Sequence, residues 1–505
     1  MRFKKSVTNS IFLVLQQVVV MALAFASRTV FARYMGMQYL GYTTLFGNIF
    51  IWFSFADMGF AAIGFMLYKA LAEEDRFKIS SIMQMYRNGL RLAGVVILGL
   101  GFAITGIIPY LIRQQGNLNI NELYAIYWIQ LITTAVPYFS THWRLYMQAN
   151  QCGYICTNLD TIIYVITSIG QILVLVKGKG IYVYLFVTLL GNIFSIFVLE
   201  YIGNKKYADV IIPGNKMLSL KESGILKEIR DYAAQRISAL IYNSTDSILI
   251  SAFCGAAVVG KYGNYTTIYQ YTSALLFTKL FGGIQASLGN FLNKESPESV
   301  ERMFSILDTL MYLCTCVTCC GYIVCFQPFI QWWMGEENTL SNGFLILYIL
   351  TAYISLDTEL LYKYRSVYGS YKLDRGWSIL SAMLNLGVSF LLVQKMGLIG
   401  IQIGTIVGLL CIVVGRIRVV FFINPQLSLK SYLKKHFCRG VYFLIQALIT
   451  YLLCFKVPYS LPGVILRGVI AVLVSISAGI ILMCMSREAR LLPQYLKTKI
   501  HLSHP

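Results

Sequence analysis

The sequence predicts an all-α integral membrane protein of about fourteen transmembrane helices: two six-helix lobes related by a parallel pseudo-two-fold axis, plus two C-terminal helices. Three observations predict it. Of 505 residues, 57% are hydrophobic and only 13% are charged, with a mean hydropathy of +0.65, which is far too apolar for a water-soluble domain. Apolar runs of the roughly 20 residues that a helix needs to cross a hydrocarbon core recur along the whole chain. Two glycine signatures also repeat after 219 and 220 residues.

The runs fall at 9–33, 39–67, 90–112, 121–144, 157–176, 181–201, 231–254, 261–289, 304–330, 342–362, 376–395, 398–421, 440–457 and 461–485. The longest connection, 202–230, carries Pro213, Gly214 and scattered lysines and reads as a loop rather than a catalytic domain. "GMQYLG" (Gly36 to Gly41) follows the first run and "GAAVVG" (Gly255 to Gly260) the seventh, 219 residues later (255 − 36). "VKGKGI", with Gly180, has a counterpart in "QKMGLIGI", with Gly400, at an offset of 220. Two matches at nearly one offset argue for a duplicated six-helix half, and six being even, both halves keep one orientation. The expected organisation is an N-terminal lobe at 1–201, a cytoplasmic inter-lobe loop at 202–230, a second lobe at 231–421, and two additional helices with a cytoplasmic tail at 422–505.

The net charge of +20 is distributed by loop. Arg2, Lys4 and Lys5, then Lys69, Arg76, Lys78 and Arg87, then Lys205, Lys206, Lys216, Lys221 and Lys227 lie on one side of the expected membrane. The later loops holding Arg302, Lys363, Arg365, Lys430, Lys434, Lys435 and Arg487 continue the pattern. The opposite loops hold few cations, and one carries Glu336 and Glu337. The positive-inside rule places both termini in the cytoplasm, so the basicity reads as orientation and contact with anionic membrane lipids, not as nucleic-acid binding. The N-terminal run, with Lys4, Lys5 and Ala24-Phe25-Ala26, imitates a signal peptide, but cleavage would leave thirteen spans and spoil this agreement. Five cysteines crowd one run (Cys314, Cys316, Cys319, Cys320, Cys325) and read as small polarizable packing residues. No Cys or His pair stands at zinc spacing, so no metal site is expected.

Ionisable residues inside a bilayer usually face a cavity or a partner. The deep candidates are Arg28, Asp57, Arg236, Asp246, Lys279 and Asp308. Arg236 and Asp246 stand about 15 Å apart along one helix, too far to neutralise each other. Arg33 lies where its guanidinium can snorkel to headgroups or serve the site, while Arg28 sits about 7 Å deeper and on a different face. Lys279 has either a cavity role or a buried structural partner, and Asp57 and Asp246 either form interhelical salt bridges or bind a coupling ion.

The segments "RTVFARYMGMQYLGYTTLFGNIF" and "FADMGFAAIGFMLYKALAEEDRFKISSIMQMYR" resemble the beginning of Wzx-type polysaccharide flippases of the multidrug/oligosaccharidyl-lipid/polysaccharide exporter superfamily. "YNSTDSILISAFCGAAVVGKYGNYTTIY", followed by "ASLGNF", resembles the start of that family's C-terminal half, and "STHWRLYMQANQCGYI" is similar to its fourth-helix exit. The resemblance covers the first 300 residues well and beyond them is mostly topology. It implies a MATE-like fold with a cationic central cavity in a bacterial cytoplasmic membrane. The implied function is alternating-access transport of undecaprenyl-diphosphate-linked oligosaccharide repeat units from the inner to the outer leaflet for surface polysaccharide synthesis. The candidate substrate-binding residues are Arg28, Arg33, Arg236, Lys279, Asn243 and Asn264, with Asp57 and Asp246 for ion coupling or salt bridging. The physics fits: a sugar diphosphate cannot shed its water in hydrocarbon, and guanidinium forks pair phosphates well. No cofactor is implied beyond proton or sodium coupling, and the further partners are a polysaccharide polymerase and a chain-length regulator.

A drug or toxin exporter of the same superfamily is the nearest alternative, but it would favour acidic groups for organic cations. A membrane enzyme such as a polymerase needs a sizeable loop or domain, and every outer loop here is short, so no enzyme is expected. A pore would need a recognisable filter. Reporter fusions test the topology: those at Lys216 and Ser503 should report cytoplasm and one at Asn338 the outside, and an outside signal at Ser503 would overturn it.

Overall fold

The computed structural model describes residues 2–53, 73–112, 119–150, 152–212, 244–279, 296–368 and 371–485, with a few isolated residues within 63–71, 238–241 and at 288. Asp57, Arg236 and Asn243 fall outside the described residues, as does the side chain of Lys279. Among the described residues the architecture is all helix, with ten helices long and apolar enough to cross a membrane. It is the expected membrane fold of about fourteen spans.

Helix α1 (Arg2–Phe53) carries the first expected span and the beginning of the second as two limbs meeting at Gly36, whose φ of 82° and ψ of 168° leave the helical region. Only glycine adopts that conformation without steric cost. After α2 (Arg76–Ile104) comes α3 (Ile120–Ala135), which stops where Pro137 removes a backbone donor, so the expected span 121–144 is split and α4 (His142–Ala149) resumes as a separate short helix. Helices α5 (Gly153–Val176) and α6 (Gly180–Lys206) form a hairpin. Helix α7 (Ser244–Cys254) is followed at once by α8 (Ala256–Ser273), which continues as a π turn through Ala274–Lys279. The remaining helices are α9 (Pro297–Met334), α10 (Asn342–Asp357), α11 (Glu359–Val367), α12 (Tyr371–Met396), α13 (Leu398–Ile423), α14 (Leu429–Cys454) and α15 (Leu461–Met485).

Several helices begin earlier than the apolar runs. Helix α2 starts at Arg76, with the Asp75 carboxylate accepting the Lys78 amide at 3.0 Å, and α14 starts at Leu429, capped by Ser428. Capping residues set those boundaries, whereas hydropathy marks only the stretch that hydrocarbon covers.

The glycine signatures carry positive φ at Gly36 (82°), Gly178 (67°), Gly255 (96°) and Gly397 (55°). Gly178 and Gly397 stand 219 residues apart (397 − 178), the same as Gly36 and Gly255. Gly180 also has a positive φ (78°), whereas its sequence counterpart Gly400 does not. Gly400 instead lets α13 approach the backbone of Leu392.

The described helices gather into two compact units, one of Val18–Gly260 with Val393–Gly397 and the other of the remainder. The first has an aromatic core around Phe46, Phe50 and Tyr127 and a second cluster around Trp143, Met147 and Cys156. In the other unit α9 is central, and α10, α14 and α15 pack around it. Cys316, Cys319 and Cys320 lie buried in its core beside Tyr312, Phe326 and Tyr348.

Within the first unit the two Gly-x4-Gly turns meet. A Cβ on Gly41 would fall onto the Ala256 carbonyl, and one on Gly260 onto the Met37 carbonyl. Valine at Gly41 or Gly260 should therefore cost about 1–3 kcal/mol or more through overpacking. Gly47→Ala, at a position with nothing within 4 Å, should leave the thermal unfolding midpoint of the purified protein in place. Equal midpoints for all three would show that the crossing is loose.

Candidate transport site

Five residues of α-helix turn the chain by about 500°, so Arg28 and Arg33 lie on different faces. Arg33 is exposed, while Arg28 is half-buried and its Nη2 donates to the Gly260 carbonyl at 3.1 Å. The close glycine crossing explains why a backbone carbonyl from 219 residues beyond Gly41 is within reach of α1. Beside Arg28 the ring of Phe31 meets Tyr184 edge-on at 4.8 Å, and the guanidinium charge acts on the Tyr184 phenol. Arg28 is thus a cation fixed at the junction of α1, α6 and the start of α8.

Asp246 is buried on α7. Its helix presents Ser244, Ser247 and Ser251 at a spacing of three and four, all buried, and Asn48 of α1 donates to the Ser247 hydroxyl at 2.8 Å. Small hydroxyl residues in this pattern allow close helix approach in a membrane and supply bonds across it. Also in this unit, Arg144 of α4 forms a two-pronged pair with Asp160 of α5, at 2.7 and 2.5 Å. The pair borders a cavity of about 490 Å³ that Tyr86, Tyr164 and Asn192 also line.

In the second unit Asn264 is fully buried on α8. Its neighbour Tyr265 donates to Gln327 at 2.7 Å and accepts the Leu340 amide at 2.9 Å, while Gln327 donates to the Leu340 carbonyl at 2.6 Å. Lys279 ends the π turn. Of the expected set, Arg28 and Asp246 belong to one compact unit and Asn264 to the other.

Sequence reasoning marked Asp308 and missed its partners. Arg439 donates to Asp308 at 2.6 Å and to the Thr309 hydroxyl at 2.7 Å. His436 places Nε2 3.1 Å from Asp308 Oδ1 and Nδ1 2.7 Å from Asp357 Oδ2. Lys435 stands 3.7 Å from Asp308 and donates to Ser305 at 2.9 Å. The signal for this cluster was present as Lys435, His436 and Arg439 at helical spacing, but the span expected at 440–457 put them in a loop. Asp308 and Lys435 line a cavity of about 500 Å³. Among the described residues no group of His, Cys, Asp and Glu is arranged to hold a metal.

The chain is a multi-helix membrane protein with buried ion pairs and close glycine crossings. Residues 6–281 match the family described as polysaccharide biosynthesis protein, and the chain belongs to that family. Among solved structures it is similar to the lipid II flippase MurJ in an inward closed conformation. The identity is 16%, the match covers 94% of this chain and 99% of that one, and the TM-score is 0.72. It is also similar to an inward-facing multidrug resistance MATE transporter of the MOP superfamily, at 13% identity over 82% of this chain and 97% of that one, with a TM-score of 0.60. An aspartate-to-asparagine variant of the Vibrio cholerae MATE transporter VcmN gives 12% identity over 85% and 99%, with a TM-score of 0.56. No curated protein sequence matches it. The fold is that of these transporters.

Arg439→Ala should destabilise the protein by about 3–5 kcal/mol, because it leaves Asp308 charged and buried with its strongest partner gone. Arg439→Lys should cost less, keeping the charge and losing the second bond to Thr309. Unfolding in detergent at one fixed pH checks this, and an unchanged midpoint for Arg439→Ala would contradict it.

Proposed function

We propose that this protein is a flippase that moves undecaprenyl-diphosphate-linked oligosaccharide repeat units from the inner to the outer leaflet of a bacterial cytoplasmic membrane. The product feeds surface polysaccharide synthesis, alongside a polymerase and a chain-length regulator, and both termini lie in the cytoplasm. The observation that carries the reading is the half-buried Arg28 guanidinium, held against the Gly260 carbonyl at the end of a largely apolar stretch of α1. A fixed cation at that depth suits a diphosphate better than an organic cation. The family match over residues 6–281 supports the polysaccharide pathway.

In this reading Arg28 takes the diphosphate, with Arg236 and Lys279 offering charge at other depths and Asn243 and Asn264 bonding to sugar hydroxyls. Arg33 serves the site mouth or anchors α1 at the headgroups. Asp57 and Asp246 bind a coupling ion or neutralise these cations. The polyprenyl tail stays in lipid, so only the polar head needs desolvation. Transport itself breaks no covalent bond, and the chain is read as a carrier rather than an enzyme.

The test is surface polysaccharide in a strain lacking its own flippase, with the membrane level of each variant measured. Arg28→Ala removes a charge-assisted contact worth roughly 2–5 kcal/mol and should abolish most export. Arg28→Lys should restore part of it, since the charge remains and the fork is lost, and Arg33→Gln should be tolerated. Normal export by well-inserted Arg28→Ala would sink the assignment.

A further inference from the structure

The His436 ring sits between two carboxylates, with Nδ1 2.7 Å from Asp357 and Nε2 3.1 Å from Asp308. A neutral imidazole has one N–H and one lone pair. With both carboxylates ionised, a neutral ring would set one nitrogen lone pair against a carboxylate oxygen at hydrogen-bond distance. The arrangement is satisfied only when one further proton is present, and the imidazole, ordinarily more basic than a carboxylate, takes it on its second nitrogen. Geometry therefore specifies the occupant.

We propose that His436, Asp308 and Asp357 form a proton-binding site whose bound proton ties α14 to both α9 and the end of α10. The charged groups facing His436 are Asp308 from α9 and Asp357 from α10, while Lys435 and Arg439 on its own helix both pair with Asp308. The phenols of Tyr312, Tyr353 and Tyr432 stand around them, the Tyr432 ring 4.1 Å from the imidazole. Asp357 is buried, and its other oxygen, Oδ1, has no hydrogen-bond partner among the described residues. It is the last residue of α10, at the break that Thr358 makes before α11. Asp308 opens on the cavity of about 500 Å³, where Glu298 and Glu301 offer carboxylates on the way to water, giving the proton a route in and out.

The two contacts do not depend equally on the proton. Asp308 keeps Arg439 and Lys435 when the ring is neutral, whereas the bond that holds Asp357 is the one from His436. The remaining N–H therefore stays on Nδ1 toward Asp357, and the contact that opens is Nε2 to Asp308. Release of the proton leaves α14 bonded to α9 through Arg439 and loosens it at His436, one turn away. The site lies wholly within one compact unit and does not depend on the substrate assigned to Arg28.

The experiment is nitrogen-15 NMR of the full-length protein in lipid nanodiscs with labelled histidine. The chain has four histidines, so His436 is read as the sole one in the variant His142→Gln/His501→Gln/His504→Gln, which leaves the cluster untouched, or by difference if that variant inserts poorly. Both His436 nitrogens should be protonated at pH 7, and the neutral form reached in alkali should carry its proton on Nδ1. Asp357→Asn, whose carboxamide can accept or donate, removes the need for the second proton and should yield a neutral ring at the same pH. A neutral His436 at pH 7 in the wild-type cluster, or a neutral form protonated on Nε2, overturns the proposal.

Discussion

A backbone amide or carbonyl left unpaired in hydrocarbon costs several kcal/mol, and that constraint governs the whole chain. Helices satisfy it within themselves, so the described chain is helical nearly throughout. Irregular backbone is confined to a few places where another group supplies the missing bond. At Gly36 and Gly255 the chain turns with positive φ, and the Gly255 amide returns to the Ile250 carbonyl at 3.0 Å. At Pro137 a 3₁₀ turn spans the break, and at Thr358 the hydroxyl donates back to the Ile354 carbonyl at 2.7 Å. These breaks are also where chemistry collects: Arg28 bonds near the glycine crossing, and Asp357 lies at the Thr358 break.

The same solvent decides how charges are held. A buried ion pair seldom gains much stability over a well-packed apolar one, yet losing one partner is expensive. Two deep carboxylates meet this with cationic donors: Asp308 has Arg439, His436 and Lys435, and Asp374 has Arg365 at 3.1 Å. Arg365 lies in turn over the Tyr362 ring, which Arg416 approaches from another helix. Aromatic faces thus share the cost of burying cations. Arg33, which is exposed, needs none of this.

The spans were legible because hydropathy reports hydrocarbon directly, and the contrast between Arg28 and Arg33 was legible because helical rotation is fixed. The glycine turn at 36–41 and its repeat at 255–260 were legible as spacing, and their mutual contact explains why glycine is needed at Gly41 and Gly260. Gly180 turns with a positive φ and Gly400 does not, a difference that matching letters cannot reveal. The partners of Asp308 were out of reach, since His436 and Arg439 lie about 130 residues away and hydropathy placed them beyond the end of a span. Arg144 with Asp160 was missed because neither looked buried in a linear reading, although the pair joins two consecutive helices.

Lipid as the outer solvent governs the docking of α14 and α15. Their outward faces carry Phe437, Leu444, Leu448, Leu452, Ile465 and Leu473, all exposed. Lipid tails are as apolar as those side chains, so burying them against protein gains little, and helix association falls to packing and hydrogen bonds. The inner faces supply both. Gln446 of α14 donates to Ser475 of α15 at 2.7 Å, Tyr442 donates to the Ala478 carbonyl at 2.8 Å, and Tyr312 of α9 donates to the Arg439 carbonyl at 2.9 Å. Arg467 of α15 reaches the Val324 carbonyl of α9 at 3.3 Å. In water these bonds would be minor beside the apolar area. In lipid they fix how the two helices sit against α9, and the Asp308 cluster is the strongest of them, so the charge that looks costliest in the sequence sets the position of α14.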